Sequence, residues 1–144
     1  MPLFLFLHVL SIAVWIAAAL WLTGDVKRTV ALGKPHVDAL AARILPQLGL
    51  DSAATGATFV TGILVMWAQG WAPPRPGVSA GIVFAIARAG ILGAVRRSAR
   101  SVVARAQAGE AVSASDPALK RMSMLAGIAH LLWVLALAGM VFPA

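Results

Sequence analysis

Residues 2–22 read PLFLFLHVLSIAVWIAAALWL, an apolar run that contains one histidine, one serine and no formal charge. A helix crossing the hydrocarbon of a bilayer needs roughly 20 such residues, each rising 1.5 Å. Three further stretches meet the same requirement, at 48–71, 77–95 and 122–142. The last is also uncharged, the second carries one acid at its edge, Asp51, and the third one base near its middle, Arg88. These spans predict a single all-α domain over residues 1–144, a four-helix transmembrane bundle. Composition agrees: 60% of the chain is hydrophobic and 12% charged, far from the balance of a soluble domain.

The net charge of +7 is unevenly placed. Lys27, Arg28, Lys34 and Arg43 lie between the first two spans, and Arg96, Arg97, Arg100, Arg105, Lys120 and Arg121 between the last two. The connection between spans 2 and 3 has only Arg75. Basic loops remain cytoplasmic, so both termini and the 2–3 turn are predicted outside, on the periplasmic face. The predicted partner of the two basic loops is the bilayer itself, through its anionic headgroups. No aromatic residue is interleaved with these bases, which argues against a nucleic-acid partner. The absence of cysteine removes disulfides, thiolate metal sites and cysteine nucleophiles. Span 1 lacks a basic leader and is longer than the apolar core of a signal peptide, so it is read as a retained helix.

Between spans 1 and 2 the polar segment Thr23–Arg43 reads as a loop broken at Gly33-Lys34-Pro35, with Val37–Leu45 extending span 2 as far as Pro46. The prolines at 73, 74 and 76 exclude helix and predict a tight outer hairpin. Trp67 and Trp71 flank that hairpin, and Trp21 marks the inner end of span 1, places where indoles favour headgroups. Span 3 is predicted to project as a basic helix to Gln107, stopped by Gly109, and Ser115 or Asp116 caps a new helix ahead of Pro117. Gly81, Ala85, Ala89 and Gly93 form a ridge of small residues that lets another helix approach closely.

Ionisable groups inside spans are costly and mark functional positions. Helical rise places His8 about 9 Å from the outer boundary, Arg88 about 16 Å, His130 about 18 Å and Asp51 about 30 Å. His8 shares its face with Ser11, Ile12 and Trp15, and His130 follows Ala126 and Gly127. For each histidine two readings stand, a neutral ring bonded across the bundle or a ligand to haem or metal. A proton relay is a third reading for His8. Arg88 has no carboxylate at its depth; it either snorkels toward headgroups or meets an anion brought by a ligand, such as a propionate. Asp51, Thr55, Thr58 and Gly62 form a weakly polar stripe, read as packing glue through hydroxyl bonds to backbone carbonyls or as the lining of a path. No Ser/His/Asp set or carboxylate pair occurs within the spans, so a hydrolytic enzyme is excluded.

The run Leu7-His8-Val9-Leu10-Ser11-Ile12-Ala13-Val14-Trp15, followed by Lys27-Arg28 and then Thr61-Gly62 in span 2, resembles small bacterial four-helix membrane proteins of the CopD-like and HemJ-like groups. The resemblance covers about the first half of the chain. It implies a four-helix scaffold in the bacterial inner membrane, with His8 the candidate ligand of haem b. Where HemJ-type proteins carry an Arg-Leu-Phe-Val-Tyr-His-like run, this chain has Thr23-Gly24-Asp25-Val26-Lys27-Arg28, so only the broader scaffold carries over. The resulting expectation is a membrane protein binding haem b or a metal through His8, with His130 and Arg88 as further cofactor-binding residues, in a redox or transfer role. The alternatives are a non-catalytic subunit or assembly factor of a larger membrane complex, a homo-oligomer among them, and a permease for a small solute or copper. The permease would need a polar path from His8 through Thr58 to Asp51.

Overall fold

The computed structural model describes residues 2–113 and 115–141, and all of its regular structure is helical. The elements are α1 (Pro2–Leu20), α2 (Leu22–Leu32), α3 (His36–Ala68), α4 (Pro76–Gln107) and α5 (Pro117–Val141). With α2 continuing α1, four helices are long and apolar enough to cross a membrane, the architecture of a multi-pass membrane protein. The expected end of the fourth span, Phe142, lies outside the described residues.

Two expectations for the polar segments are corrected. The stretch 23–32 is not a loop: α2 follows α1 after a break at Trp21, and only residues 33–35, the expected breaker, separate α2 from α3, whose start takes in the expected helical stretch Val37–Leu45. The reason is a helical apolar stripe inside a polar-looking segment. Leu22, Val26 and Val30, then Val37, Leu40 and Ile44, recur at three- and four-residue spacing and all are buried, so each turn has a core to join. Nor does the extension stop at Pro46, which lies inside α3. Proline removes one helical hydrogen bond, to the carbonyl four residues back; Pro46 and Ala42 are both exposed, so nothing buried is left unsatisfied. Gln47 Nε2 donates to the Ala18 carbonyl (3.1 Å) near the α1–α2 junction.

The other boundaries match the sequence reading. Gly109 ends α4 with φ +89°, a left-handed conformation that costs glycine little, and Glu110 N donates to the Arg105 carbonyl (3.1 Å). Asp116 caps α5 through its Oδ1, which accepts from the Ala118 N–H (2.8 Å), and both its oxygens accept from Arg105 Nη2 (3.0 Å each). Partial desolvation pushes the Asp116 carboxyl up, but the Ala118 N–H, the Arg105 guanidinium and the Leu119 N–H outweigh it and hold the group below the ordinary carboxylate value. A depressed folded pKa means stability that is complete above the unfolded value, about 3.9, and lost as pH falls through the folded one. Amide protection factors at Leu119 and Lys120 are therefore expected to fall below about pH 4. They should become flat with pH in Asp116→Asn; an equal acid response in that variant would exclude Asp116 as the source.

The helices form two hairpins, α1 on α3 and α4 on α5, which touch each other more sparsely. The small ridge of α4 is used near its N-terminal end. Gly81 lies against Met140 and the Ala136 carbonyl, and Gly77 abuts the backbone of Gly139. At 33 and 32 residues, α3 and α4 are about 50 Å long, against about 30 Å of hydrocarbon. The excess lies at the basic end. There α2, the start of α3, the end of α4 and the start of α5 bury the larger apolar cluster, including Val26, Leu40, Val95, Val102, Leu119 and Met122. Arg43 braces it from outside, donating to both Asp25 oxygens (2.8 and 3.0 Å) and to Thr29 Oγ1 (3.0 Å). The hairpins are thus clamped at one end, and they part toward the other.

Candidate functional site

Where the hairpins part lies a cavity of about 610 Å³, walled by α1, α3, α4, α5 and the 69–75 turn. Its lining is mostly apolar, with Ile12, Phe59, Ile82 and Met140 among the walls, while His8, Thr58, Gln69 and Arg75 bring the polar atoms. Apolar walls with a few placed polar groups are the usual form of a small-molecule site.

His8 is half-buried on the cavity wall. Its Nδ1 lies 3.0 Å from Thr61 Oγ1. The Thr61 hydroxyl sends its own proton to the Ala57 carbonyl (2.7 Å), so toward His8 it is an acceptor and Nδ1 carries the ring proton. In a neutral imidazole that leaves the lone pair on Nε2. Ser11 donates to the His8 carbonyl (2.8 Å) and touches Thr61 (3.2 Å), and Thr58 lies 3.3 Å from Ser11. Gly62 makes room for the ring, because a Cβ there would stand 3.2 Å from His8 Cε1. Thr55 and Thr58 bond back to their own helix (2.7 and 2.8 Å), the packing role read from the stripe. That stripe is interrupted between Thr58 and Asp51 by an apolar layer of Trp15, Ala19, Ala54, Leu92 and Ala129, drawn from four helices.

Arg88 does not snorkel. It is 1% exposed, and its guanidinium carbon sits 4.2 Å from the centroid of the Trp15 ring, an attractive cation–π contact. Trp15 itself is 2% exposed, packs against Phe59 with centroids 6.2 Å apart, and lines the cavity. The indole thus has the cavity on one side and Arg88 on another. Asp51, expected at the inner interface, is 3% exposed and ion-paired with Arg96, whose Nε and Nη2 both donate to Oδ2. This pair escaped the sequence reading although a signal existed. Counted from Gly77, Arg96 lies about 28 Å deep, level with Asp51.

His130 is half-buried on α5 but is not part of the cavity wall, where Trp133 stands instead. Open space surrounds the Gly127 position, so the room left by that small residue faces away from neighbouring helices. Of the expected cofactor-binding residues, the fold brings His8 to the cavity, sets Arg88 against its Trp15 wall and leaves His130 off the lining. Arg75 and Trp133, not singled out from sequence, join the lining. Among the described residues no three His, Asp or Glu side chains gather as a site for a bare metal ion. Comparison with protein-family models, with characterised proteins and with solved structures finds no match for this chain.

Proposed function

We propose that this is an integral membrane protein with a redox or transfer role, in which the cavity between the two hairpins would hold haem b and His8 would be the residue that binds it. The observation that carries this reading is the setting of His8: its Nδ1 lies 3.0 Å from Thr61 Oγ1, the ring is seated against Gly62, and the side chain lines a largely apolar cavity. Ligating histidines characteristically donate their other ring N–H in this way, which fixes tautomer and orientation. A porphyrin supplies four nitrogens of its own, so one imidazole suffices where no three-residue metal site is assembled. Haem would supply one-electron chemistry at a potential set by its axial ligand and its surroundings. The chain's own part is to orient the imidazole, to wall off water with Phe59, Ile82 and Met140, and to place Arg75 at the turn. The resemblance of span 1 to CopD-like and HemJ-like proteins supports the same reading. In this reading the basic ends of α2, α3 and α4 face the cytoplasm and anionic headgroups, and the cavity opens toward the opposite leaflet.

The test is an absorption spectrum of protein purified with haem supplied during expression. A Soret band with sharp reduced α and β bands is expected. It should be abolished in His8→Ala and weakened or shifted in Thr61→Val, which removes the Nδ1 acceptor. His130→Ala should retain the haem. Full occupancy in His8→Ala would overturn the assignment.

A second reading, a subunit of a larger membrane complex, draws on α3. Gly49, Ala53 and Gly56 are exposed on its outer side, and nothing lies near either glycine. Small residues on a lipid-facing helix permit close docking of another helix. Crosslinking from cysteine placed at Ala53 in native membranes would reveal such a neighbour, and a wholly monomeric pattern would remove this reading.

A further inference from the structure

The 69–75 turn contributes one end of the cavity, and Arg75 is the only formally charged side chain in the lining. It takes part in none of the three ion pairs among the described residues, which join Arg43 to Asp25, Arg96 to Asp51 and Arg105 to Asp116. The two remaining acids, Asp38 and Glu110, belong to the basic end, at the start of α3 and just past the end of α4. No acidic side chain of the described chain therefore answers Arg75. The start of α4 adds to its charge. Arg75 holds the N-cap position, Pro76 follows, and no side chain caps the first N–H groups. The positive end of the helix dipole thus lies beside the guanidinium, and Val78, in that first turn, also lines the cavity.

A cleft lined by charge of one sign, with low-dielectric walls, focuses the field and draws in the opposite charge. In the proposed topology the 69–75 turn is translocated, and short turns on that side are poor in Lys and Arg. An arginine kept there and set on the cavity lining has a use other than holding the turn inside. Its planar fork accepts a carboxylate through two parallel hydrogen bonds. One positive charge matches a carboxylate, whereas a phosphate monoester carries up to two negative charges at neutral pH. Gln69, also on the lining, offers two further amide N–H donors. The rest of the wall, with Ile12, Phe59, Ile82 and Leu137, suits an apolar body. The complementary molecule is an amphipathic monoanion with its acid at the turn.

We propose that Arg75 binds the carboxylate of an apolar-bodied ligand held in the cavity. That carboxylate is either a propionate of the haem or the head of a single-chain fatty acid. In the first case the inference rests on the haem reading and names the residue that orients the porphyrin; in the second it needs neither iron nor His8.

The experiment uses haem-free protein in neutral detergent micelles, in a Trp21→Phe, Trp67→Phe, Trp71→Phe background. Only Trp15 and Trp133, both on the cavity lining, then fluoresce. Dodecanoate brominated at its terminal carbon is titrated at a pH that keeps it ionised, beside the matching bromododecanol. Saturable quenching by the acid is expected, with affinity lowered about tenfold in Arg75→Gln, as befits the loss of charge-assisted hydrogen bonds. Arg75→Lys should fall between, and the alcohol should bind the parent and Arg75→Gln alike. Arg75 is exposed on a turn, and helix content from circular dichroism checks that both variants fold. Haem and its dimethyl ester, followed by the Soret band, distinguish the two sources. A preference for haem over the ester that Arg75→Gln erases assigns the site to a propionate. Saturable dodecanoate binding without any haem binding assigns it to a free acid and sinks the haem reading alone. An acid bound no more tightly than its alcohol, or dodecanoate and haem both bound unchanged by Arg75→Gln, would overturn the proposal.

Discussion

Asp51→Ala is expected to destabilise the bundle by about 3 kcal/mol, the lower part of the range for breaking a buried ion pair from one side. The carboxylate is 5% exposed and Arg96 22%, so removal of the acid strands a guanidinium that is mostly out of water. It also removes the one negative charge that faces Arg88. The double variant Asp51→Ala, Arg96→Ala should recover part of the loss, because the cost lies in the stranded partner more than in the broken bond. Reversible unfolding in mixed micelles measures both variants. A single-variant loss under about 1 kcal/mol would place the pair with solvent-screened surface bridges and remove it as the anchor between α3 and α4.

Gly77→Ala is expected to cost about 1–3 kcal/mol, the usual range for overpacking, and to move α4 away from α5 at the cavity end. A methyl there would overlap the Gly139 backbone, and a backbone in a helix has no rotamer to swing aside. Val78 and Met140, next to the two glycines, line the cavity, so ligand binding should weaken along with stability. Gly90→Ala supplies the control, because nothing lies within 4 Å of its added carbon. There the gain in helix propensity, up to about 1 kcal/mol, is expected to appear as slight stabilisation. Equal effects at the two positions would mean that the close approach of α4 to α5 is dispensable.

Much of this architecture can be read from periodicity and punctuation. The prolines at 73, 74 and 76 force the turn, Gly109 stops α4, and Asp116 ahead of Pro117 starts α5; each acts through its own backbone chemistry, which needs no partner. The polar stretches were harder. Residues 23–32 carry enough charge to read as a loop, yet Val26 and Val30 continue the apolar spacing from Leu22, and the helical extension expected over Val37–Leu45 begins at His36 and runs on through Pro46. Whether such a weak stripe is helical depends on whether other helices arrive to cover it.

The site divides along the same line. His8 was recognisable from sequence because an ionisable group within hydrocarbon is costly wherever the chain goes, and the same reasoning drew attention to Arg88 and His130. Which of the three meets the cavity was not recognisable, since that depends on the angle between the hairpins and the rotation of each helix. The four apolar spans, the turn between α3 and α4, the stop at Gly109 and the uneven placement of positive charge are all legible in the residues themselves, because hydrophobicity and backbone constraints are local properties of the chain. That Asp51 answers Arg96, that Arg88 lies buried against Trp15 with no acceptor among the described residues, and that His8 lines the cavity while His130 does not, follow from how the helices meet. The physical reason is that pairing between groups on different helices follows from helix rotation and crossing, which are set by the summed packing of the whole bundle and written in no single segment.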